Sequence, residues 1–180
     1  MQKQFPALVT WLKGGSAECL PYSSWAERTD VRTPSKFICD RQRGRCIEEI
    51  RERLRDPNEQ CPVFRIIGLP GIGKTRLVFE VLSVDDLKNR VIYIAADQLI
   101  SSSLHITLQN DQNLSAIIVI DECDLGQHDE FVRSFSGKGP RLAVFTLSHD
   151  IGRAPPPSTL YNLNPLEEGI MEAILKAEAP

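Results

Sequence analysis

Residues 68 to 75 read Gly-Leu-Pro-Gly-Ile-Gly-Lys-Thr, a complete G-x-x-x-x-G-K-[ST] loop, and this run constrains the fold more than any other part of the chain. Val63-Phe64-Arg65-Ile66-Ile67 before it is a short, largely apolar run of the kind that makes a buried strand. Arg76 to Leu82 after it has the spacing of a helix with its apolar residues turned to a sheet. Gly68, Gly71 and Gly73 admit backbone angles closed to residues with a Cβ, so successive N–H groups can turn inward around a phosphate. The helix that follows aims its positive end at the same anion. The expected phosphate cradle is therefore Gly68, Leu69, Pro70, Gly71, Ile72, Gly73, Lys74, Thr75 and Arg76. In it Lys74 bridges the β- and γ-phosphates as a catalytic residue, and the Thr75 hydroxyl ligates Mg2+.

A second run agrees with the first. Ala116-Ile117-Ile118-Val119-Ile120 is uninterrupted apolar sequence ending in Asp121-Glu122, the Walker B pattern of a buried strand with acids at its C-terminal tip. Asp121 is expected to hold Mg2+ through a water, complementing Thr75. Glu122 is expected to be the catalytic base that orients and polarises an attacking water.

The chain has 180 residues, enough for one α/β domain with a short appendage. With 42% hydrophobic and 25% charged residues it is of ordinary globular composition. Its net charge of −3 gives no general pull towards nucleic acid or an anionic membrane. No run is long enough to span a bilayer, and the N-terminus lacks the layout of a signal peptide. Five cysteines without a C-x-x-C pair fit reduced thiols in a cytoplasmic protein.

Residues 1–35 form an N-terminal arm in which Phe5 to Leu12 suggests a short helix stopped by Gly14-Gly15. Trp11, Tyr22 and Trp25 are expected to anchor this arm to the core. From Arg43 to Arg55 the pattern is helical, with Cys46, Ile47, Ile50 and Leu54 on one face. Glutamates interleave with its arginines, and Glu49 and Arg53 form an i, i+4 pair, so a solvated, salt-bridged face is expected rather than a nucleic-acid surface. Arg90 to Ala95 is a second core strand, and residues 98–114 include a helix. The Walker B strand is third, followed by a helix around Glu130 to Phe135. Arg141 to Leu147 is a fourth strand, and Leu160 to Leu163 a short fifth. Alternating strands and helices imply a parallel sheet covered on both faces, with the ligand at the C-terminal strand edges.

The two Walker boxes together resemble the nucleotide-binding core of STAND-type ATPases, the NB-ARC- and NACHT-related switches within the AAA+-like P-loop NTPases. The resemblance covers roughly residues 36 to 170. It implies an α/β, three-layer P-loop NTPase core with a parallel sheet of strand order 5-1-4-3-2, spanning residues 36–164. Phe37-Ile38-Cys39-Asp40-Arg41 is similar to the family's box before the P-loop, which makes Arg41 a candidate for the base and ribose. Residues 165–180 then correspond to the start of a helical lid, so a fragment or a truncated homologue is expected. Partner domains or self-association would supply the rest of the lid and a sensor. The family's sensor arginine has no match in Thr146-Leu147-Ser148-His149, where Thr146 or Ser148 would face the γ-phosphate and His149 or Arg153 would substitute. Arg133 and Arg141 are candidates for presentation to a neighbouring subunit.

The expected function is a switch core that binds ATP with Mg2+, closes to drive oligomerisation and is reset by slow hydrolysis, with ATP and ADP as its ligands. A small-molecule phosphotransferase is the alternative, but residues 124–140 hold only Arg133 and Lys138 where such enzymes carry an arginine-rich lid. Adenine is preferred over guanine because no Asn-Lys-x-Asp tetrad occurs. Nucleic acid is an unlikely partner because no basic track with interleaved aromatics is visible.

Overall fold

The computed structural model describes residues 19–27, 37, 39–150 and 152–166. The expected N-terminal helix with Trp11, residue Ile38 of the box before the P-loop, and the expected C-terminal helix lie outside the described residues. In chain order the elements are β1 (Leu20–Pro21), α1 (Tyr22–Trp25), α2 (Arg41–Arg55), β2 (Val63–Ile67), α3 (Lys74–Val81) and α4 (Asp85–Lys88). There follow β3 (Val91–Ala95), α5 (Ala96–Ser101), α6 (Leu104–Asn110), β4 (Ala116–Asp121), α7 (Leu125–Phe135), β5 (Leu142–Ser148) and β6 (Thr159–Asn162).

The strands form one six-stranded sheet in the order β1-β3-β4-β5-β2-β6. This corrects the five-strand, all-parallel expectation. A sixth strand, β1, adds to the far edge and runs antiparallel to β3, pairing Leu20 with Tyr93 and Pro21 with Ile92. A two-residue strand has no alternation to detect, and Pro21, lacking an N–H, fits only an edge. The five parallel strands follow one another as β6, β2, β5, β4 and β3. β5 thus separates the strand that precedes the glycine loop from the strand that ends in Asp121.

Period-two alternation sends neighbouring residues of each strand to opposite faces. On one face Ile118, Ile120, Ile92, Ile94 and Val144 pack with Leu99, Leu104, Leu108, Phe131 and Phe135 of α5, α6 and α7. On the other, Ile117, Val119, Phe64, Ile66 and Phe145 pack with Trp25, Ile50, Leu77, Val78 and Val81 of α1, α2 and α3. Both faces are covered, giving three layers and explaining the near-continuous apolar runs of the strands.

Residues 98–114 hold two short helices, not one, because Ser102 and Ser103 break the run and the Ser102 hydroxyl accepts the N–H of Leu104. α7 starts five residues before the expected Glu130. Its N-cap Asp124 accepts from Gln127 N at 2.8 Å, and Gln127 Oε1 accepts from Asp124 N at 3.0 Å, a reciprocal capping box. The solvated face of α2 is present at Glu48, Glu49, Glu52 and Arg55, which are exposed, but Arg51 departs from it and Arg53 pairs elsewhere than with Glu49. Arg51 donates to the carbonyls of Val81 at 2.9 Å and Glu80 at 2.6 Å, closing the C-terminus of α3. Arg53 pairs with Glu59, and Arg55 with Asp86. Trp25 is fully buried and Tyr22 stacks on Phe79 at 4.6 Å, so both do anchor the segment before α2. Among the described residues, no helix is long and apolar enough to cross a membrane.

Candidate nucleotide-binding site

The glycine loop joins β2 to α3 at the C-terminal edge of the sheet. Gly68 has φ +151°, and a Cβ there would meet the carbonyl oxygen of Leu163 at 3.0 Å. The chain leaving β6 passes that close because Leu163 N donates to Ile67 O at 2.9 Å. Gly73, the N-cap of α3, has φ +91°, and no side chain caps the helix. Its first-turn N–H groups therefore present the partial positive charge that an anion requires. A Cβ at Gly71 or Gly73 would meet nothing within 4 Å, so what these positions require of glycine is the positive φ and not space.

Lys74 folds back over this loop, donating to the carbonyls of Gly68 at 2.9 Å and Leu69 at 3.0 Å. Burial lowers its pKa from the ordinary value, and Asp121 opposes the shift. The Thr75 hydroxyl lies 3.4 Å from Asp121 Oδ2. Asp121 Oδ1 accepts the backbone N–H of Glu122 at 2.9 Å. The adjacent Lys74 and Thr75 are thus brought to Asp121, which lies 46 residues beyond Thr75 in sequence. This all-oxygen pair of a hydroxyl and a carboxylate suits Mg2+, which fills its remaining positions from phosphate and water. No cluster of three acidic, histidine or cysteine side chains suited to a protein-only metal site occurs among the described residues. Glu122 is exposed and left-handed, with φ +54°, where the chain turns sharply out of β4.

Other expected residues lie elsewhere. Arg76 pairs with Glu80 at 2.7 Å and lies over the rings of Phe37 and Phe79, which leaves its backbone, not its guanidinium, facing the loop's task. Arg41 is exposed and lines a groove between α2 and β6 with Arg45, Thr159 and Tyr161. Arg43, which sequence reasoning missed, is the residue of α2 that touches the loop, donating to Ile72 O at 2.9 Å and Asn164 O at 3.2 Å. Leu69 is 59% exposed and Pro70 is exposed beside it.

Thr146 is fully buried and hydrogen-bonded to His128 Nδ1 at 2.8 Å, so it faces α7 rather than the loop. Ser148 accepts from Asp150 N at 3.1 Å, while His149 and Arg153 are exposed. Arg141 sits at the opposite end of β5, donating to Leu114 O at 3.0 Å and Leu108 O at 2.9 Å. It is consumed within the fold and cannot be offered to a neighbour; Arg133 remains exposed.

Beneath the strand tips lies a buried polar group that the sequence reading did not contain. Arg65 is completely buried in β2, with Nη1 3.5 Å from Cys123 O and Nη2 4.0 Å from Asp150 Oδ2. His128 is equally buried, and its Nε2 lies 2.9 Å from Ser158 Oγ. An arginine within an apolar strand run was the available signal.

No family model matches the chain, and no curated protein matches it. Among solved structures, it resembles Cdc6p from Pyrobaculum aerophilum with a TM-score of 0.60 at 17% identity, over 83% of this chain and 52% of that one. It resembles the Drosophila ORC bound to DNA with a TM-score of 0.57 at 14% identity, over 84% and 51%. It resembles AMPPCP-bound DnaA from Aquifex aeolicus with a TM-score of 0.54 at 17% identity, over 79% and 52%. The chain spans about half the length of these proteins. At these identities the likeness shows the fold alone, a mostly parallel α/β sheet of the P-loop NTPase-like kind. The STAND subgroup is not reached by this likeness. One neighbour is a DNA complex, so the expectation against nucleic acid finds no support here.

Proposed function

We propose that this chain is the Mg2+- and ATP-binding core of a nucleotide-driven switch of the STAND type, with slow hydrolysis to ADP. The observation that carries the reading is the meeting of Thr75 and Asp121 at 3.4 Å beside Lys74, at the mouth of an uncapped helix. Residues 68–76 would hold the phosphates through backbone N–H groups, with Lys74 exchanging the loop carbonyls for phosphate oxygens. Thr75 and Asp121 would hold Mg2+, which when bound neutralises charge across the phosphates. Glu122 would orient the attacking water.

The arm at 1–35, the core at 36–164 and the lid segment from 165 are proposed as functional units. Arg41 is retained as a candidate for the base and ribose. Turnover in the isolated chain is expected to be weak, because a charge-stabilising arginine from a lid or partner contributes on the order of 10³ to 10⁵ in rate. Self-association or a partner domain would provide it.

The test is a titration of the purified chain with labelled ATP and GTP in the presence of Mg2+, beside Lys74→Ala, with phosphate release followed in the same samples. ATP-selective binding lost on substitution, with low turnover, is the expected result. Equal behaviour of the two chains, or a preference for GTP, overturns the reading.

A further inference from the structure

Asp121 is held by a partner that belongs to neither Walker box. Tyr93 lies on β3, paired with Val119 of β4, and is 5% exposed. Its hydroxyl donates to Asp121 Oδ2 at 2.6 Å, the oxygen that Thr75 approaches. The other carboxylate oxygen takes the Glu122 N–H. The plane of the carboxylate is therefore fixed at both ends, by one backbone donor and one phenol. A charge-assisted O–H···O bond of this length is among the stronger polar contacts available to a side chain.

The Tyr93 ring is also engaged. It stacks on Trp25 of α1 at 4.8 Å with 20° between the planes. Trp25 meets Phe79 edge-on at 5.2 Å, and Phe79 belongs to α3, the helix that begins with Lys74 and Thr75. The backbone of Tyr93 pairs with Leu20 of β1. One short segment, residues 19–27, thus touches the residue that holds Asp121 and the helix that carries Thr75.

We propose that Tyr93 is a positioning residue of the metal site, and that Trp25 links the docking of the β1–α1 segment to Mg2+ occupancy through Tyr93 and Asp121. The inference rests on the nucleotide site proposed above. The Tyr93 hydroxyl and the Glu122 N–H hold the carboxylate in the orientation in which it would receive the hydrated metal, and the stacked indole would feel any tightening of that phenol contact. Because coupling is reciprocal, whatever tightens the segment on Tyr93 raises Mg2+ affinity by the same factor. A free or repositioned segment would weaken the metal while leaving the phosphate cradle intact.

The test uses the full chain carrying Trp11→Phe, which leaves Trp25 as the one indole reporter. ATP binding is titrated with MgCl2, and once in excess EDTA, while Trp25 emission is followed. Tyr93→Phe keeps the ring and removes only the hydroxyl. It is expected to raise the Mg2+ concentration at half-saturation by about tenfold, as loss of an outer partner of a metal ligand does. ATP affinity in EDTA should be unchanged, and the Mg2+-dependent change in Trp25 emission should be lost. Trp25→Phe, which weakens the stack without touching Asp121 and is read by labelled ATP because it removes the indole, should shift the Mg2+ midpoint in the same direction.

An unchanged Mg2+ midpoint in Tyr93→Phe overturns the positioning role. A midpoint moved by Tyr93→Phe but not by Trp25→Phe overturns the link to the segment. An equal loss of ATP affinity with and without Mg2+ marks general damage and also overturns it. If the parent chain binds no ATP under either condition, the nucleotide reading fails first and this inference falls with it. A Tyr93→Phe effect confined to Mg2+ is the result that sustains both.

Discussion

Arg43 donates to the carbonyl of Ile72 at 2.9 Å, so the helix that precedes the core strands grips the glycine loop from behind. The same guanidinium is only 2% exposed, pairs with the buried N-cap Asp40, and reaches Asn164 O past the end of β6. Arg43→Met leaves the Asp40 carboxylate buried without its partner, and breaking such a pair costs about 3 kcal/mol or more. Urea denaturation should show that loss. Arg43→Lys should recover only part of it, since an ammonium cannot serve three acceptors in the guanidinium's planar geometry.

His128 gives the chain an acid sensitivity with a definite sign. Burial, then the nearby Arg65 charge, lower its pKa from 6.5 to about 4, with Asp129 opposing. Below pH 6.5 the unfolded chain takes up the proton while the folded chain resists until about pH 4. The histidine's contribution is therefore complete above pH 6.5 and is lost as pH falls through this window, by about 3 kcal/mol in total. Urea midpoints between pH 7.5 and 4 should show a steeper fall for the parent chain than for His128→Asn, in which that proton uptake is gone.

The legibility of this fold followed the length and regularity of its signals. The glycine loop and the run ending in Asp121 were readable because each combines an apolar strand with a chemical terminus at a fixed place. Their meeting across β5 was not readable from spacing; it comes from the sheet order. β1 was hidden because two residues carry no period. Tyr93 looked like one more buried strand residue, and only the register against β4 brings its hydroxyl to Asp121. Arg43 and Arg51 were hidden differently. On a helical wheel they belong to a charged face, and what they satisfy are carbonyls of another segment, which leave no mark in sequence.

Two glycines of the loop should respond differently to alanine. At Gly68 a methyl group meets Leu163 O at 3.0 Å as well as an unfavourable φ of +151°, so Gly68→Ala must displace the backbone leaving β6. At Gly71, with φ +76° and open space, the cost is the left-handed strain alone, roughly 1–2 kcal/mol. Thermal unfolding should therefore rank Gly68→Ala below Gly71→Ala. Stabilisation by added nucleotide should be lost more in Gly71→Ala than its small stability change implies, because relief of the left-handed strain would turn the loop's N–H groups away from the phosphate.

Arg65 poses the sharpest question of stability against function. It is wholly buried, yet Nε and Nη2 have no hydrogen-bond partner among the described residues, and its nearest acid, Asp150, is 43% exposed and 4.0 Å away. A charge so weakly compensated costs more to bury than its contacts return, and well-packed apolar replacements of such groups are often neutral or stabilising by about 1–4 kcal/mol. Arg65→Met is therefore expected to hold or raise the urea midpoint, while Asp150→Asn, which removes the opposing charge, lowers it. The carbonyl that Arg65 reaches, Cys123 O at 3.5 Å, belongs to the turn in which Glu122 is left-handed. If the arginine is retained to fix that turn, Arg65→Met should lose phosphate release while keeping ATP affinity. A variant that is both more stable and fully active would remove any catalytic reason for a cation at this position.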